Sequence, residues 1–294
     1  MSSETQRKGR RHGAGVRSNR SIAKRGREKR SYDREKKESY KPCSHDGVCD
    51  EQCECVKDRH SCGRSCSCPR DCPNRFQGCN CSIGNCHISS TCACLKAGKE
   101  CDPDYCFSCG ASDAAVMAFH PEFKSKSSHD LNICRNVNML RGSIQKKIGV
   151  AFSGTHGWGA YALEPIRKDD FVLEYTGELI TDREAERRGT TLYERIGVSY
   201  LFGVNSQEVV DAARKGNKAK FANHKKGDPN LDVRIFSSNG EDRIGLFARE
   251  AIEVGGELFF DYGYSGETAP EWSQRDKSPP EKLVYADDEN DEWE

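Results

Sequence analysis

The spacing of the cysteines constrains this chain more than any other feature. Sixteen of its 17 cysteines fall within residues 43–109, as Cys43, Cys49, Cys53, Cys55, Cys62, Cys66, Cys68 and Cys72, then Cys79, Cys81, Cys86, Cys92, Cys94, Cys101, Cys106 and Cys109, with His45 between the first two. C-x-C pairs separated by longer gaps occur in both halves, so the segment reads as an internal duplication. These 67 residues carry only ten other apolar side chains, too few to close a hydrophobic core. Metal ligation is the interaction that can hold such a segment.

A single tetrahedral zinc site usually draws on C-x-x-C pairs, whereas C-x-C places two sulfurs on neighbouring corners of a cluster whose thiolates bridge metals. Roughly three zinc ions sharing about nine ligands close such a cluster. The first half supplies eight cysteines and His45; the second supplies eight cysteines, and Cys134 completes it. The expectation is therefore about six zinc ions in two clusters, with no thiol left over. A surface histidine at 45 and an ordinary buried thiol at 134 are the plain alternatives. His60, His87 and His120 have no partner spacing.

The formal net charge of zero hides two unlike ends. Residues 1–42 carry 15 basic and 5 acidic side chains, and residues 265–294 carry 3 and 10. The N-terminal arm, with Lys24-Arg25-Gly26-Arg27-Glu28-Lys29-Arg30, has too few apolar groups to fold alone. Its charge density suits nuclear import or contact with DNA, or simply a solvated linker. The cysteine segment has 7 Lys and Arg against 9 Asp and Glu, and thiolate clusters add negative charge, so any contact with phosphate is expected of the arm. The longest apolar run, Ala114–Phe119, has six residues, far short of the ~18–20 of a membrane span. No apolar stretch follows the basic N-terminus, so neither a membrane protein nor a secreted, disulfide-held one is expected.

From about residue 148 to 264 the texture changes to short β-rich runs punctuated by Gly and Asn: Tyr161–Leu163, Phe171–Tyr175, Tyr200–Val204, Val209–Asp211, Val233–Phe236, Ile244–Phe247 and Leu258–Phe260. The fold class that follows is mostly β with little helix. The clearest helix begins at Thr181, whose hydroxyl caps the first turn while Glu184 reaches back, and stops at Gly189. The organisation expected is a basic arm (1–42), a zinc-cluster module (43–109), a connector carrying Cys134 (110–147), a β-rich domain (148–264) and an acidic tail (265–294).

Four segments are polar or glycine-rich where strands prefer apolar residues: Gly157-Trp158-Gly159, Glu174-Tyr175-Thr176-Gly177-Glu178, Phe221-Ala222-Asn223-His224 and Glu257-Leu258-Phe259-Phe260-Asp261-Tyr262. Each alone reads as a turn, a capped loop or a core aromatic. Together and in this order they resemble the SET domain of protein lysine methyltransferases. With the cysteine repeat in front, residues 43–264 resemble the CXC and SET regions of the Enhancer of zeste family, the catalytic subunits of Polycomb repressive complex 2. Asn74-Arg75-Phe76, Glu100-Cys101-Asp102-Pro103-Asp104, Arg214-Lys215-Gly216-Asn217-Lys218 and Arg243-Ile244-Gly245-Leu246-Phe247-Ala248 extend the resemblance, and Ala269-Pro270-x-Trp272 is like plant members.

The resemblance implies a β-clip fold with a threaded, knot-like crossing. It implies methyl transfer from S-adenosylmethionine to lysine 27 of histone H3, in the nucleus, on nucleosomes and with the other Polycomb core subunits. Tyr262 would be the central catalytic tyrosine, Tyr175 a second hydroxyl on the lysine channel, and Phe202 and Phe260 its walls. Gly157, Trp158 and Gly159 would approach the cofactor, and Asn223, His224 and Tyr262 would hold it from the other side. A non-catalytic chromatin scaffold and an enzyme for another lysine, such as lysine 9, are the alternatives. Departures from the family pattern are Asp228-Pro229-Asn230-Leu231 after one extra residue, Ile196 and Gly263 in place of a tyrosine and an arginine, and a tail without cysteine. The strip Ser265–Trp272 is expected to lie over the cofactor and to need partner subunits for its order.

Overall fold

The structure, a computed structural model, describes residues 40–87, 91–112, 134–142, 145–155, 157–196, 198–238 and 240–262. The basic arm before Tyr40, His120 with most of the connector, Gly263, the strip Ser265–Trp272 and the acidic tail lie outside the described residues. Among the described residues no helix is long and apolar enough to cross a membrane.

Among the described residues the cysteine segment contains single turns, α1 (Glu54–Lys57) and α2 (Ala93–Lys96), each starting just after a cysteine, and a 3-10 turn at Asn85–His87. A further turn, α3 (Asn138–Arg141), follows Cys134. The β-rich part contains β1 (Ile148–Phe152), β2 (Trp158–Ala162), β3 (Phe171–Glu174), β4 (Glu178–Thr181), helix α4 (Asp182–Arg188), β5 (Leu201–Gly203), β6 (Glu208–Asp211), β7 (Asn223–His224), β8 (Leu231–Ser238), β9 (Glu241–Ala248) and β10 (Phe259–Phe260). They form a β1–β2 hairpin, a three-stranded sheet in the order β4-β6-β5 and a five-stranded sheet in the order β3-β9-β8-β10-β7. Val172, Leu231, Ile244, Leu246 and Leu258 fill the core between these layers. The mostly-β reading thus holds, and the sequence runs left out β1, β4 and β7.

Strand β10 lies parallel to both neighbours, β7 and β8, which the 225–230 loop joins. The chain therefore inserts its 259–260 segment between two strands that are already connected. Asn230 fixes the insertion: its Nδ2 donates to the Glu257 carbonyl at 2.7 Å and its Oδ1 accepts from the Phe259 N–H at 2.8 Å. Residues 225–228 of this loop are exposed, and Gly227 has φ +88°.

The helical segment after β4 departs from expectation. Thr181 Oγ1 accepts from the Glu184 N–H as a cap should, but the Glu184 carboxylate turns to Arg187 and Arg188 at 2.6–2.8 Å instead of reaching back. These two guanidiniums hold the Glu184 carboxyl low, at about 2. The α-helix ends at Arg188 with Gly189 as its C-cap, as expected, but φ and ψ of −57° and −50° there stay helical rather than left-handed, and the chain continues as a π-helix, Gly189–Tyr193. What anchors the segment is Asp211, which is buried and accepts from Arg188 and Tyr193 at 2.7–2.8 Å. Gly177 passes so close to it that an added Cβ would lie 2.5 Å from the Asp211 carbonyl oxygen.

None of the 17 cysteines is in a disulfide, and their sulfurs gather in two groups. Cys43, Cys53, Cys55, Cys62, Cys66, Cys68 and Cys72 are buried together with Cys49 beside them. Cys79, Cys86, Cys92, Cys94, Cys101, Cys106 and Cys109 form the second group with Cys81, and Cys134 joins it, 3.7 Å from Cys109. Arg75 is buried against the first group, where its guanidinium donates to the carbonyls of Gly63, Cys66, Cys68 and Pro69.

Two contacts seat the cysteine region on the β8–β9 hairpin. Glu100, which follows Lys99 in a parallel bridge to Ser237, accepts from the Met139 and Leu140 N–H groups at 2.8 and 2.9 Å and from Ser238 Oγ at 2.8 Å. Burial pushes its carboxyl up, against these three donors. Arg243 also holds α3, donating to the Met139 carbonyl and to both oxygens of Glu174. The second contact is Tyr40, whose ring lies against Gly240 at the hairpin turn, where φ is +88°. Glu100→Gln exchanges one acceptor for an NH2 that must face a donor, and is expected to destabilise the protein by about 1–3 kcal/mol; an unchanged denaturation midpoint would contradict the role given to this carboxylate.

Candidate active site

Aromatic residues separated in sequence meet at one point of the β-rich domain. The Tyr175 ring packs on Phe202 at 5.4 Å and on Phe260 at 6.5 Å, and Phe202 and Phe260 are 6.1 Å apart. Phe260 in turn packs on Tyr262 at 4.6 Å, and Tyr262 on His224 at 5.1 Å. Parallel pairing of β10 with β7 is what sets this order, since it places Phe260 opposite His224. The four predicted channel and catalytic rings therefore form one wall, although each comes from a run that reads as ordinary core.

Hydroxyl orientation within this wall is defined. Tyr262 donates to the Ala222 carbonyl at 2.7 Å, and Tyr175 donates to the Tyr200 carbonyl at 3.0 Å. A phenol whose proton is spent on a carbonyl offers its oxygen as an acceptor to a neighbouring N–H. His224 Nδ1 accepts from the Tyr262 N–H at 3.1 Å, which places the ring proton of neutral His224 on Nε2. Burial lowers the His224 imidazole below its ordinary 6.5, opposed by Asp261 at 3.8 Å and reinforced by Lys226.

Beside the wall, Asn223 bridges to the β1–β2 hairpin. Its Nδ2 donates to the Trp158 carbonyl at 3.1 Å and to Glu257 Oε1 at 2.9 Å. Trp158 stands 56% exposed next to it, in edge contact with Phe152. Gly157 adopts φ +56° with nothing within 4 Å of an added Cβ, an open position that a side chain would fill. At Gly159 an added Cβ would lie 2.5 Å from Glu257 Oε1, so the missing side chain there makes room for a close contact within the protein. The residues expected to hold a cofactor accordingly lie together, with an open glycine, an exposed indole and an amide at one edge. Glu257, Asn230 and Tyr161 are additional members of this group; only their places inside recognisable segments signalled them.

The cysteine groups meet the requirements of metal sites. Cys43, Cys49, Cys62 and Cys68, then Cys43, Cys53, Cys55 and Cys62, and Cys43, His45, Cys49 and Cys53, each bring four ligand atoms within 4.8 Å. In the second half the same is true of Cys79, Cys101, Cys106 and Cys109 and of Cys79, Cys92, Cys94 and Cys101. Sharing of Cys43 and of Cys79 among sets is the pattern of a bridging thiolate. His45 Nε2 is buried without a hydrogen-bond partner, as a nitrogen reserved for a metal would be. The donor set, thiolate with one imidazole, fits zinc.

Residues 157–263 match the SET domain family, and residues 78–111 match the CXC domain family, which takes in the second half of the cysteine repeat. The chain is 40% identical over 237 residues to the histone-lysine N-methyltransferase MEDEA of Arabidopsis thaliana, covering 80% of this chain and 32% of MEDEA. It is also similar to a chain of ctPRC2, the Chaetomium thermophilum Polycomb repressive complex 2, in an autoinhibited conformation bound to S-adenosylmethionine. That likeness has a TM-score of 0.63 and 34% identity, over 79% of this chain and 30% of the other. For ctPRC2 in complex with H3K27me3 and H3K27M the TM-score is 0.57, with 36% identity over 69% and 25% of the two chains. This chain spans about a third or less of the length of these relatives. A cysteine repeat with a CXC match, a SET domain behind it and likeness to MEDEA across both place the chain in the Enhancer of zeste family.

Proposed function

We propose that this chain is the catalytic region of a nuclear histone-lysine methyltransferase that transfers methyl from S-adenosylmethionine to lysine 27 of histone H3 within a Polycomb complex, giving transcriptional silencing. The observation that carries the reading is the convergence of Tyr175, Phe202, Phe260 and Tyr262 on one wall beside Asn223 and His224. Likeness to the ctPRC2 structures bound to S-adenosylmethionine and in complex with H3K27me3 supports this choice of cofactor and target. Histone H3 in nucleosomes and the other core subunits are its partners, and the basic arm is the part suited to DNA.

S-adenosylmethionine, when bound, supplies a methyl group on a sulfonium sulfur for in-line displacement by an amine. Trp158, Asn223 and His224 would hold it, with Gly157 leaving room. A lysine side chain at its reference pKa of about 10.4 is protonated at neutral pH and has no lone pair to attack with. The aromatic wall favours the neutral amine by excluding water, and the displaced proton leaves to solvent. Tyr262, with its own proton engaged on Ala222, accepts from the amine N–H and so aims the nitrogen lone pair. Tyr175 does the same from the other side of Phe260. The test is methyl transfer from labelled S-adenosylmethionine to nucleosomes, with and without partner subunits, with mass spectrometry of the product. Label at lysine 9, or none in either condition, would overturn the reading.

Tyr262→Phe is expected to lower turnover at least about a hundredfold while changing cofactor affinity only a few-fold, whereas His224→Ala weakens cofactor binding; calorimetry reporting the reverse would exchange their roles. Zinc is proposed to fill the two cysteine groups at about six ions per chain. Elemental analysis is expected to give that figure and a strong chelator to unfold residues 43–109; two or fewer metals in a folded protein would contradict the two clusters.

The pH dependence follows from His224. Its folded pKa lies below the unfolded 6.5, so the unfolded chain takes up the proton first as pH falls. Stability contributed by the neutral ring is complete above 6.5 and is lost below it. His224→Asn keeps an acceptor for the Tyr262 N–H without a titrating group, so the variant is expected to lose less stability than wild type between pH 7.5 and pH 5.5 by thermal denaturation. Parallel curves would show that another group is responsible.

A further inference from the structure

Glu257 is a carboxylate at the cofactor side of the domain to which none of the preceding chemistry assigns work. Its backbone cannot drift: Leu258 N–H donates to the Ala160 carbonyl, Asn223 N–H to the Leu258 carbonyl, and Asn230 Nδ2 to the Glu257 carbonyl. Its side chain is held at both oxygens. Oε2 accepts from the Tyr161 hydroxyl at 3.1 Å, and Oε1 accepts from Asn223 Nδ2 at 2.9 Å. Space for the carboxylate exists because residue 159 is glycine.

The consequence lies in the Asn223 carboxamide. Its two ends differ only in being donor or acceptor, and packing distinguishes them poorly. Here the end that faces the protein meets two groups that can only accept, the Trp158 carbonyl and the Glu257 carboxylate. The NH2 must occupy that end with both of its protons spent, and Oδ1 is turned the other way, where among the described residues it accepts no hydrogen bond. The wrong orientation would set the amide oxygen against two acceptors. A neutral residue that lacks an acceptor would leave the Trp158 carbonyl as the single remaining discriminator.

We propose that Glu257 is a positioning residue: it fixes the polarity of Asn223, so that this amide meets the cofactor as an acceptor and selects a donor group on it. The proposal deepens, and rests on, the reading of this edge as the S-adenosylmethionine site. It also explains the pairing of Tyr161 with Glu257, since a carboxylate clamped by a hydroxyl cannot swing away from Asn223. Glu257→Gln preserves the arrangement, because its carboxamide oxygen can accept from Asn223 while its NH2 donates to the Tyr161 hydroxyl, which then donates to the Phe152 carbonyl 3.2 Å away. Glu257→Leu removes the acceptor at nearly constant volume.

Two measurements test this on the whole chain. In calorimetry with S-adenosylmethionine, Glu257→Leu is expected to weaken binding by about tenfold or more and Glu257→Gln by about threefold or less. In an Asn223→Ala background Glu257→Leu should add less than about twofold, since its effect passes through the missing amide. In ligand-free protein, the side-chain NH2 resonances of Asn223 should be protected from solvent exchange in wild type and Glu257→Gln and lose that protection in Glu257→Leu. Additive losses in the double variant, Gln as damaging as Leu, or an exchange rate indifferent to residue 257 would each overturn the proposal. The exchange experiment needs no cofactor, so wild-type protein that fails to bind S-adenosylmethionine yet shows the exchange pattern would refute the cofactor reading and leave the role of Glu257 toward Asn223 standing.

Discussion

The geometry of the site depends on the insertion of β10 between β7 and β8. Two strands joined by a short loop would ordinarily pair with each other; here each gives up that edge to a third segment. Asn230 makes the exchange stable by satisfying one carbonyl and one N–H of the inserted chain. Everything chemically interesting follows from that register. Phe260 comes opposite His224, Tyr262 comes within reach of Ala222, and Glu257 comes beneath Asn223. A slip by one residue would turn Phe260 out of the wall and reverse the faces of all of them.

The cysteine region solves a different problem, that of folding without apolar mass. Gathering many thiolates on few cations leaves a negative excess, and the fold places Arg75 against the first group. Its guanidinium spends its donors on four backbone carbonyls of the loops that carry the cysteines, so one cation both offsets charge and fixes loop shape. Beside the second group Arg141 donates to the carbonyls of Gly110 and Ala111, just after Cys109, and this half leans on the β-rich domain through Glu100, which accepts from Ser238, and α3, whose Met139 carbonyl accepts from Arg243.

Much of this was legible in the sequence because it is carried by residue types that have few other uses. C-x-C repeats, an isolated Cys134 that completes a count, and polar or glycine-rich breaks in strand-like runs all point to chemistry before any coordinates exist. Boundaries set by tertiary contacts were not legible. Gly189 caps the α-helix as its composition suggests, yet the π-helical turn that follows, whose Tyr193 is held by Asp211 from a strand, had no local signal. The close approach of Gly159 to Glu257 is a contact between positions that no local pattern connects. Glu184 carried a capping signature, but two neighbouring arginines outcompeted a single backbone N–H for its carboxylate.

The contact of Tyr40 with Gly240 has a consequence for how this protein can drift over generations. A side chain at 240 would have to occupy the volume of the Tyr40 ring, at 2.7 Å from its carbons, while adopting a left-handed backbone. Neither position can therefore enlarge on its own, and Tyr40 is further committed by its hydroxyl, which accepts from the Gly63 N–H and lies 2.8 Å from Cys66 Sγ. Tyrosine at one end and glycine at the other form a pair whose members must be inherited together. Relatives that replace the ring with a small side chain should be the ones in which the hairpin turn is free to acquire asparagine or aspartate.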